Sequence, residues 1–114
     1  MNYRPMLGQL YQDFNDRCID AILAHLHPAV AWPNGWEGGY VTGHDDVRAY
    51  WVRQWQQISP KVEPISFDTR PDGQIAIRVH QIIHDVAGQL LSDDTLTHVY
   101  SVADEKVRTM TIER

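Results

Sequence analysis

The sequence predicts one α+β domain, and three observations lead to this prediction. Apolar residues follow a helical period up to residue 58 and a strand period after Pro60. The chain has 114 residues, enough for one buried core and too few for two. A glycine-rich segment with large aromatic side chains interrupts the helical part. We therefore expect a single domain over residues 1–114, with helices laid across one curved sheet.

Two helices are predicted near the start of the chain. Residues 5–17 carry an apolar stripe at three- and four-residue spacing, formed by Leu7, Leu10, Tyr11 and Phe14. A shorter helix follows, ends before Pro28, and has one apolar face made of Ile19, Ile22, Leu23 and Leu26. Residues 29–32 then fit a short strand. The single Cys18 has no partner for an internal disulfide, and its helical surroundings favour a small core residue.

A third helix is predicted from Gly43 or His44 to Ser59-Pro60. Asp45 and Asp46 stand in its first turn, where the helix dipole favours negative charge. The helical period continues through Val47, Tyr50, Trp51, Trp55 and Ile58. For Trp51 and Trp55, packing of the helix on the sheet is the favoured interpretation.

Antiparallel strands are predicted after Pro60. The segments are residues 62–68, 74–86, 95–102 and 107–112, with residues 89–91 pairing back after a turn at Ala87-Gly88. The first of these contains Pro64, which is tolerated only at the edge of a sheet. Pro71-Asp72-Gly73 has the composition of a tight turn. Residues 103–105 form the last predicted turn.

The segment over residues 31–43, here called the aromatic loop, carries the strongest indication of function. It combines Trp32, Trp36, Tyr40 and Glu37 with four glycines and a proline. Glycine allows unusual backbone angles, and proline restricts them. A solvated linker has no use for such large apolar side chains, so we expect the loop to form the mouth or wall of a binding cavity.

Composition excludes several classes of partner. The net charge of −5 and the scattered basic residues argue against nucleic acid. No apolar run approaches the roughly 20 residues of a membrane span, and no secretion signal is recognisable. We therefore expect a cytoplasmic protein without nucleic-acid or membrane partners.

Four short patterns, together with the order of elements, carry a family resemblance. They are Phe14-Asn15 with Asp20, Leu26-x-Pro28, Gly43-x-x-x-Val47-Arg48 and Val107-x-x-Met110-x-Ile112. The chain resembles, over about its whole length, the nuclear transport factor 2-like superfamily, and within it SnoaL-like and ketosteroid-isomerase-like proteins. This resemblance implies a conical α+β barrel, in which helices pack in a curved, mostly antiparallel sheet around a deep pocket. It also implies a homodimer. Isomerases, cyclases, hydrolases and pure binding proteins share this fold, so the fold alone does not define a function.

The steroid-isomerase machinery does not carry over to this chain. In that branch, the general base is an aspartate before a proline at the end of the first strand, where this sequence has Trp32 before Pro33. The resemblance places Thr97 at the position of the protonated aspartate and Leu10 at that of the helix tyrosine, with Tyr11 adjacent. We expect no ketosteroid isomerisation.

The candidate catalytic residues are His80 and Glu37. Alternation separates Arg78, His80, Ile82 and His84 from their neighbours, and the resemblance implies that His80, Ile82 and His84 face the pocket. His80 would act as general acid or base, with Glu37 or Arg78 assisting. A one-residue slip in register would turn His80 outward, and a structural His80 paired with Arg78 remains an open alternative. The other expected pocket residues are Trp32, Trp36, Tyr50, Thr97, Met110 and Ile112.

We expect neither a metal nor a cofactor. His80 and His84 would lie roughly 13 Å apart along a strand, too far for one ion to bind both directly. Two classes of function remain open. The first is a pocket for a small hydrophobic or aromatic metabolite, with histidine acid–base chemistry of isomerase, cyclase or hydrolase type. The second is a non-catalytic ligand-binding or dimerisation module. The expected dimer contact is the outer sheet face, where we place His98 and Tyr100.

Overall fold

The computed structural model describes residues 2–114, and within them three helices and six strands. The helices are α1 (Arg4–Asn15), α2 (Ile19–Leu23) and α3 (His44–Gln57). The strands are β1 (Leu26–Pro33), β2 (Tyr40–Thr42), β3 (Ile58–Thr69), β4 (Ile75–Asp85), β5 (Leu90–Ala103) and β6 (Lys106–Glu113). The predicted α+β class is confirmed.

The helices follow the predicted apolar stripes, with one difference at α2. The stripe of α1 buries Leu7, Leu10 and Tyr11. The prediction that Leu26 belongs to α2 was wrong, because Leu26 is fully buried in β1 and pairs with Val107 of β6. Pairing with β6 therefore overrides the helical period in this segment. The helix α3 begins after Gly43, whose φ of 84° lies in the region that glycine tolerates best.

The sheet is curved and open, with the strand order β2-β1-β6-β5-β4-β3. All neighbouring strands are antiparallel except β1 and β6, which are parallel. The strand β3 lies at one edge, as Pro64 predicts. The strand β5 is continuous, whereas the sequence suggested two separate segments. Its residues 92–94 pair with Ile83, Ile82 and Gln81 of the long strand β4.

The core lies between the helices and the inner face of the sheet. Ile77 and Val79 of β4 are fully buried there, and so is Tyr100 of β5. Trp51 of α3 contacts Trp32 edge-on at 5.5 Å between ring centroids and stacks on Trp55 at 5.8 Å. Cys18 is exposed, so its prediction as a core residue was wrong. Among residues 2–114, none of the helices is long and apolar enough to cross a membrane.

Candidate functional site

An aromatic cavity of about 120 Å³ opens between the helices, the aromatic loop and the inner face of the sheet. The helices contribute Leu10, Tyr11, Phe14, Tyr50, Trp51 and Gln54. The strand β1 and the aromatic loop contribute Trp32, Pro33, Gly35 and Trp36. The sheet floor includes Gln81, Ile83, Leu96, His98, Tyr100, Met110 and Ile112. The wall is therefore largely apolar, with polar side chains from α1, α3, β4 and β5 and with Arg114 among its lining residues.

Five residues predicted for the pocket line this cavity. Trp32 is buried in its wall at 6% exposure, whereas Trp36 is 40% exposed at its mouth. The remaining three are Tyr50, Met110 and Ile112. Their contact with a ligand stays a prediction.

The predicted orientation of strand β4 was wrong by one residue. Gln81 and Ile83 line the cavity, so the alternating positions Arg78, His80, Ile82 and His84 lie on the opposite face. The alternation itself favours this orientation, because Ile75, Ile77, Val79 and Ile83 share one face whereas Arg78, His80 and His84 share the other. The deciding constraint is the burial of Ile77 and Val79, which have the same parity as Gln81 and Ile83.

His80 makes a hydrogen bond with Asp93 on the outer face of the sheet. Its Nε2 lies 2.6 Å from Oδ1 of Asp93, and both side chains are partly exposed. The sequence suggested Arg78 as a structural partner, and the structure gives Asp93 instead. His80 therefore does not reach the cavity and has no access to a ligand there.

The predicted orientation of strand β5 was wrong in the same way as that of β4. Thr97 pairs with outward-facing Arg78, while its neighbours Leu96 and His98 line the cavity. The placement of Thr97 in the pocket was wrong, and so was the placement of His98 and Tyr100 outside it. Because β4 and β5 are in register, the orientation of β4 determines that of β5.

A buried hydrogen-bond chain crosses the floor of the cavity. The Tyr100 hydroxyl donates to the Tyr11 hydroxyl at 2.8 Å, which leaves the Tyr11 hydrogen to donate to Nδ1 of His98 at 2.7 Å. The Tyr11 and His98 rings also stack, with centroids 5.8 Å apart. This arrangement places the imidazole hydrogen on Nε2, which makes no hydrogen bond with residues 2–114. Two features of the sequence could have indicated this hydrogen-bond chain. Tyr11 lies on the apolar stripe of a helix, and His98 and Tyr100 are two residues apart on a strand and so share one face.

Burial keeps the hydrogen-bonded side chains of Tyr100, Tyr11 and His98 uncharged near neutral pH. Desolvation lowers the pKa of His98 to about 4 and raises the pKa of Tyr11 well above its usual value, with a smaller contribution from Tyr100. Desolvation also raises the pKa of Tyr100. The cavity floor therefore offers a neutral imidazole N–H donor, and a charged group there would be costly.

A second polar pair lies on α3. Nε2 of Gln54 donates to the Tyr50 hydroxyl at 2.8 Å, one helical turn away. Desolvation raises the pKa of Tyr50 to about 12, although the nearby backbone amides of Gly35 and Trp36 act in the opposite direction. The carbonyl oxygen Oε1 of Gln54 is buried without a hydrogen-bond partner among the described residues.

Glu37 stabilises the aromatic loop from outside the cavity. Its carboxylate accepts hydrogen bonds from Asn34 Nδ2 and from Arg53, both at 2.9 Å, and these bonds, led by the one from Arg53, lower the pKa of Glu37. The Asn34 Oδ1 in turn accepts from the backbone amides of Trp36 and Glu37. Glu37 is not among the residues that line the cavity, and its carboxylate holds the loop that carries Trp36.

The structure offers no cluster for a metal ion within residues 2–114. No group of three or more histidine, cysteine, aspartate or glutamate side chains lies close enough there to bind one.

The curved sheet, the covering helices and the internal cavity define a cone-shaped α+β pocket protein. The model of the SnoaL-like domain matches residues 7–110, and the chain belongs to this family of the nuclear transport factor 2-like superfamily. A search of curated proteins gave no match.

Three solved structures illustrate the shared fold. An NTF2-like protein of unknown function from Burkholderia pseudomallei superposes with a TM-score of 0.85 and 22% identity, covering 99% of this chain and 90% of that one. TerC, co-crystallised with polyporic acid, superposes with a TM-score of 0.79 and 23% identity, covering 94% of this chain and 85% of that one. A Mycobacterium tuberculosis protein in complex with estradiol-17beta-hemisuccinate superposes with a TM-score of 0.76 and 14% identity, covering 89% of this chain and 84% of that one. At these identities the likeness establishes the fold alone.

The first prediction concerns the pH dependence of folding. The His98 pKa is near 4 in the folded chain and near 6.5 when exposed, so the unfolded chain binds the proton first as the pH falls. Stability linked to His98 is fully present above pH 6.5 and is lost towards pH 4, by about 3 kcal/mol. Urea unfolding at several pH values measures it.

Two variants isolate this contribution. His98→Asn keeps an acceptor near the Tyr11 hydroxyl and removes the titrating ring, so the loss between pH 6.5 and pH 4 shrinks. The control His80→Asn, on the outer face of the sheet, should lose as much stability between pH 6.5 and pH 4 as wild type does. An unchanged pH dependence in His98→Asn contradicts the assignment.

The second prediction concerns the aromatic loop. Glu37→Gln weakens the bond to Arg53, so we expect faster hydrogen exchange at the Gly38 amide, which donates to the Asn34 carbonyl at 2.9 Å. Glu63→Gln, which removes the exposed Lys61–Glu63 pair of β3, is the matched control. If the Gly38 amide exchanges equally fast in wild type and in Glu37→Gln, Glu37 does not stabilise the aromatic loop.

Proposed function

We propose that the chain binds a small hydrophobic or aromatic metabolite in its aromatic cavity. The observation that carries this proposal is the concentration of rings in one wall: Trp32, Tyr50 and Trp51 are buried around the cavity and Trp36 lies at its mouth. Such rings supply large apolar area and defined contact geometry for a planar ligand.

The size of the cavity supports a small ligand. Its volume of about 120 Å³ is comparable to that of a cavity of roughly 150 Å³ that accepts benzene. One aromatic ring therefore fits inside, and any larger part of the molecule extends past Trp36. The TerC and M. tuberculosis structures, which hold polyporic acid and estradiol-17beta-hemisuccinate, support a small-molecule site in this fold.

Binding is better supported than acid–base catalysis. An efficient general base has a pKa near the working pH, whereas burial holds the pKa of His98 at about 4 and raises those of Tyr11 and Tyr100. His80 and Glu37, the residues expected to transfer protons, do not line the cavity. The neutral Nε2–H of His98 is suited to donate a hydrogen bond to an oxygen of the ligand.

We also propose that two chains associate through the outer face of the sheet. This face presents Arg78, His80, Ile82 and His84 of β4 beside a row of threonines on β5 and β6 that includes Thr95, Thr97, Thr109 and Thr111. Ile82 is half-buried between Lys61 and Asp93 on the adjacent strands. An apolar residue within a polar, mixed-charge face suits a self-complementary contact. A cytoplasmic location remains a prediction, based on the single cysteine and on the lack of a recognisable secretion signal or membrane span in the sequence.

The third prediction separates the two faces of β4. Ile83→Trp fills the cavity and weakens the binding of toluene about tenfold or more, because a ring then occupies the space of the ligand. Ile82→Trp, one residue away on the outer face, leaves the affinity for toluene unchanged. NMR titration measures both. Equal affinities in the two variants, or no binding of toluene by wild type, contradict the proposed site.

The fourth prediction tests the homodimer. Sedimentation velocity should show a dimer for wild type and a monomer for Ile82→Asp, since each chain would then bury an unpaired carboxylate, next to Asp93, in the contact. Val52→Asp, at an exposed position on α3, is the control and should remain dimeric. A monomeric wild type, or a dimeric Ile82→Asp, rules out this interface.

A further inference from the structure

We propose that the side-chain carbonyl of Gln54 selects ligands whose ring carries a hydrogen-bond donor, such as a phenolic hydroxyl or a ring N–H. This inference rests on the proposed binding function and names the chemical class that the cavity accepts. It assigns Gln54 as a specificity-determining residue.

Gln54 is a polar side chain placed in an apolar wall. It lies on α3, is 8% exposed and lines the cavity. Its Nε2 is engaged by the Tyr50 hydroxyl, which anchors the amide group in one position. Its Oε1 is buried and accepts no hydrogen bond from residues 2–114.

An unpaired buried carbonyl has an energetic cost that a suitable ligand can remove. Leaving a buried acceptor without a donor costs about 1–3 kcal/mol. A ligand hydroxyl that meets Oε1 recovers this energy, whereas an ether or methyl group at the same place leaves the carbonyl unpaired. Sites built around a polar group discriminate most strongly against analogues that lack the matching group.

The Tyr100–Tyr11–His98 hydrogen-bond chain on the cavity floor does not provide this acceptor. The Tyr11 oxygen accepts from Tyr100, and Nδ1 of His98 accepts from Tyr11. The other unpartnered buried atom found in the described residues is Nε1 of Trp55, which is a donor and does not belong to the cavity lining. The buried acceptor left unpaired in the cavity wall is therefore the Gln54 carbonyl, whereas Gln81, which also lines the cavity, has a half-buried side chain.

The experiment compares phenol, anisole and toluene as ligands of the whole chain by NMR titration. Phenol carries a donor, anisole only an acceptor, and toluene neither. We expect the ratio of phenol affinity to anisole affinity to fall about fivefold or more in Gln54→Met relative to wild type. Comparing ratios cancels the different hydrophobicity of the compounds. Gln57→Met, at an exposed position on the same helix, should keep the wild-type ratio.

Toluene reports on the cavity itself. If Gln54→Met binds toluene as wild type does, the cavity is intact and the ratio is interpretable; if Gln54→Met does not fold, Gln54→Leu takes its place. An unchanged ratio in the substituted chain, or a wild-type preference for anisole, overturns the role of Gln54. Failure of wild type to bind any of the three compounds would instead overturn the proposed function.

Discussion

The burial of Ile77 and Val79 in the hydrophobic core determines which side chains reach the cavity. Both residues are fully buried, and side chains along a strand alternate between faces. Gln81 and Ile83 must then point inward, and the antiparallel register brings His98 and Tyr100 of β5 to the same face. The outward position of His80 follows from the same constraint, so the apolar core controls the chemistry of the site.

The hydroxyls of Tyr100 and Tyr11 and Nδ1 of His98 bond to one another, whereas Nε2 of His98 and the Gln54 carbonyl have no hydrogen-bond partner among residues 2–114. The Tyr100–Tyr11–His98 chain uses its hydrogen bonds internally and stays neutral because burial disfavours charge. Gln54 bonds to Tyr50 and leaves its carbonyl free. A ring-lined cavity with few open polar positions is suited to orient a small molecule. The bonds of Glu37 to Arg53 and Asn34 hold the loop that closes its mouth.

The sequence is sufficient for the fold and for the aromatic wall, and insufficient for the polar floor. Helical periods, Pro64 and the glycine turn at residue 73 indicate the main elements, and the aromatic loop indicates Trp32 and Trp36. The alternation in β4 favours the face of Ile77, Val79 and Ile83 as the inner one, whereas the family resemblance placed His80 inward, and the structure follows the alternation. Leu26 and residues 92–94 become strand through long-range pairing with β6 and β4, which local pattern does not contain.

The most direct test of this account is the measurement of intermolecular NOEs from bound toluene to isotope-labelled methyl groups. The inward orientation of β4 and β6 predicts NOEs to the methyl groups of Ile83, Met110 and Ile112, and none to Ile82. NOEs to Ile82 in place of Ile83 would contradict the orientation of the strand and, with it, the location of the site.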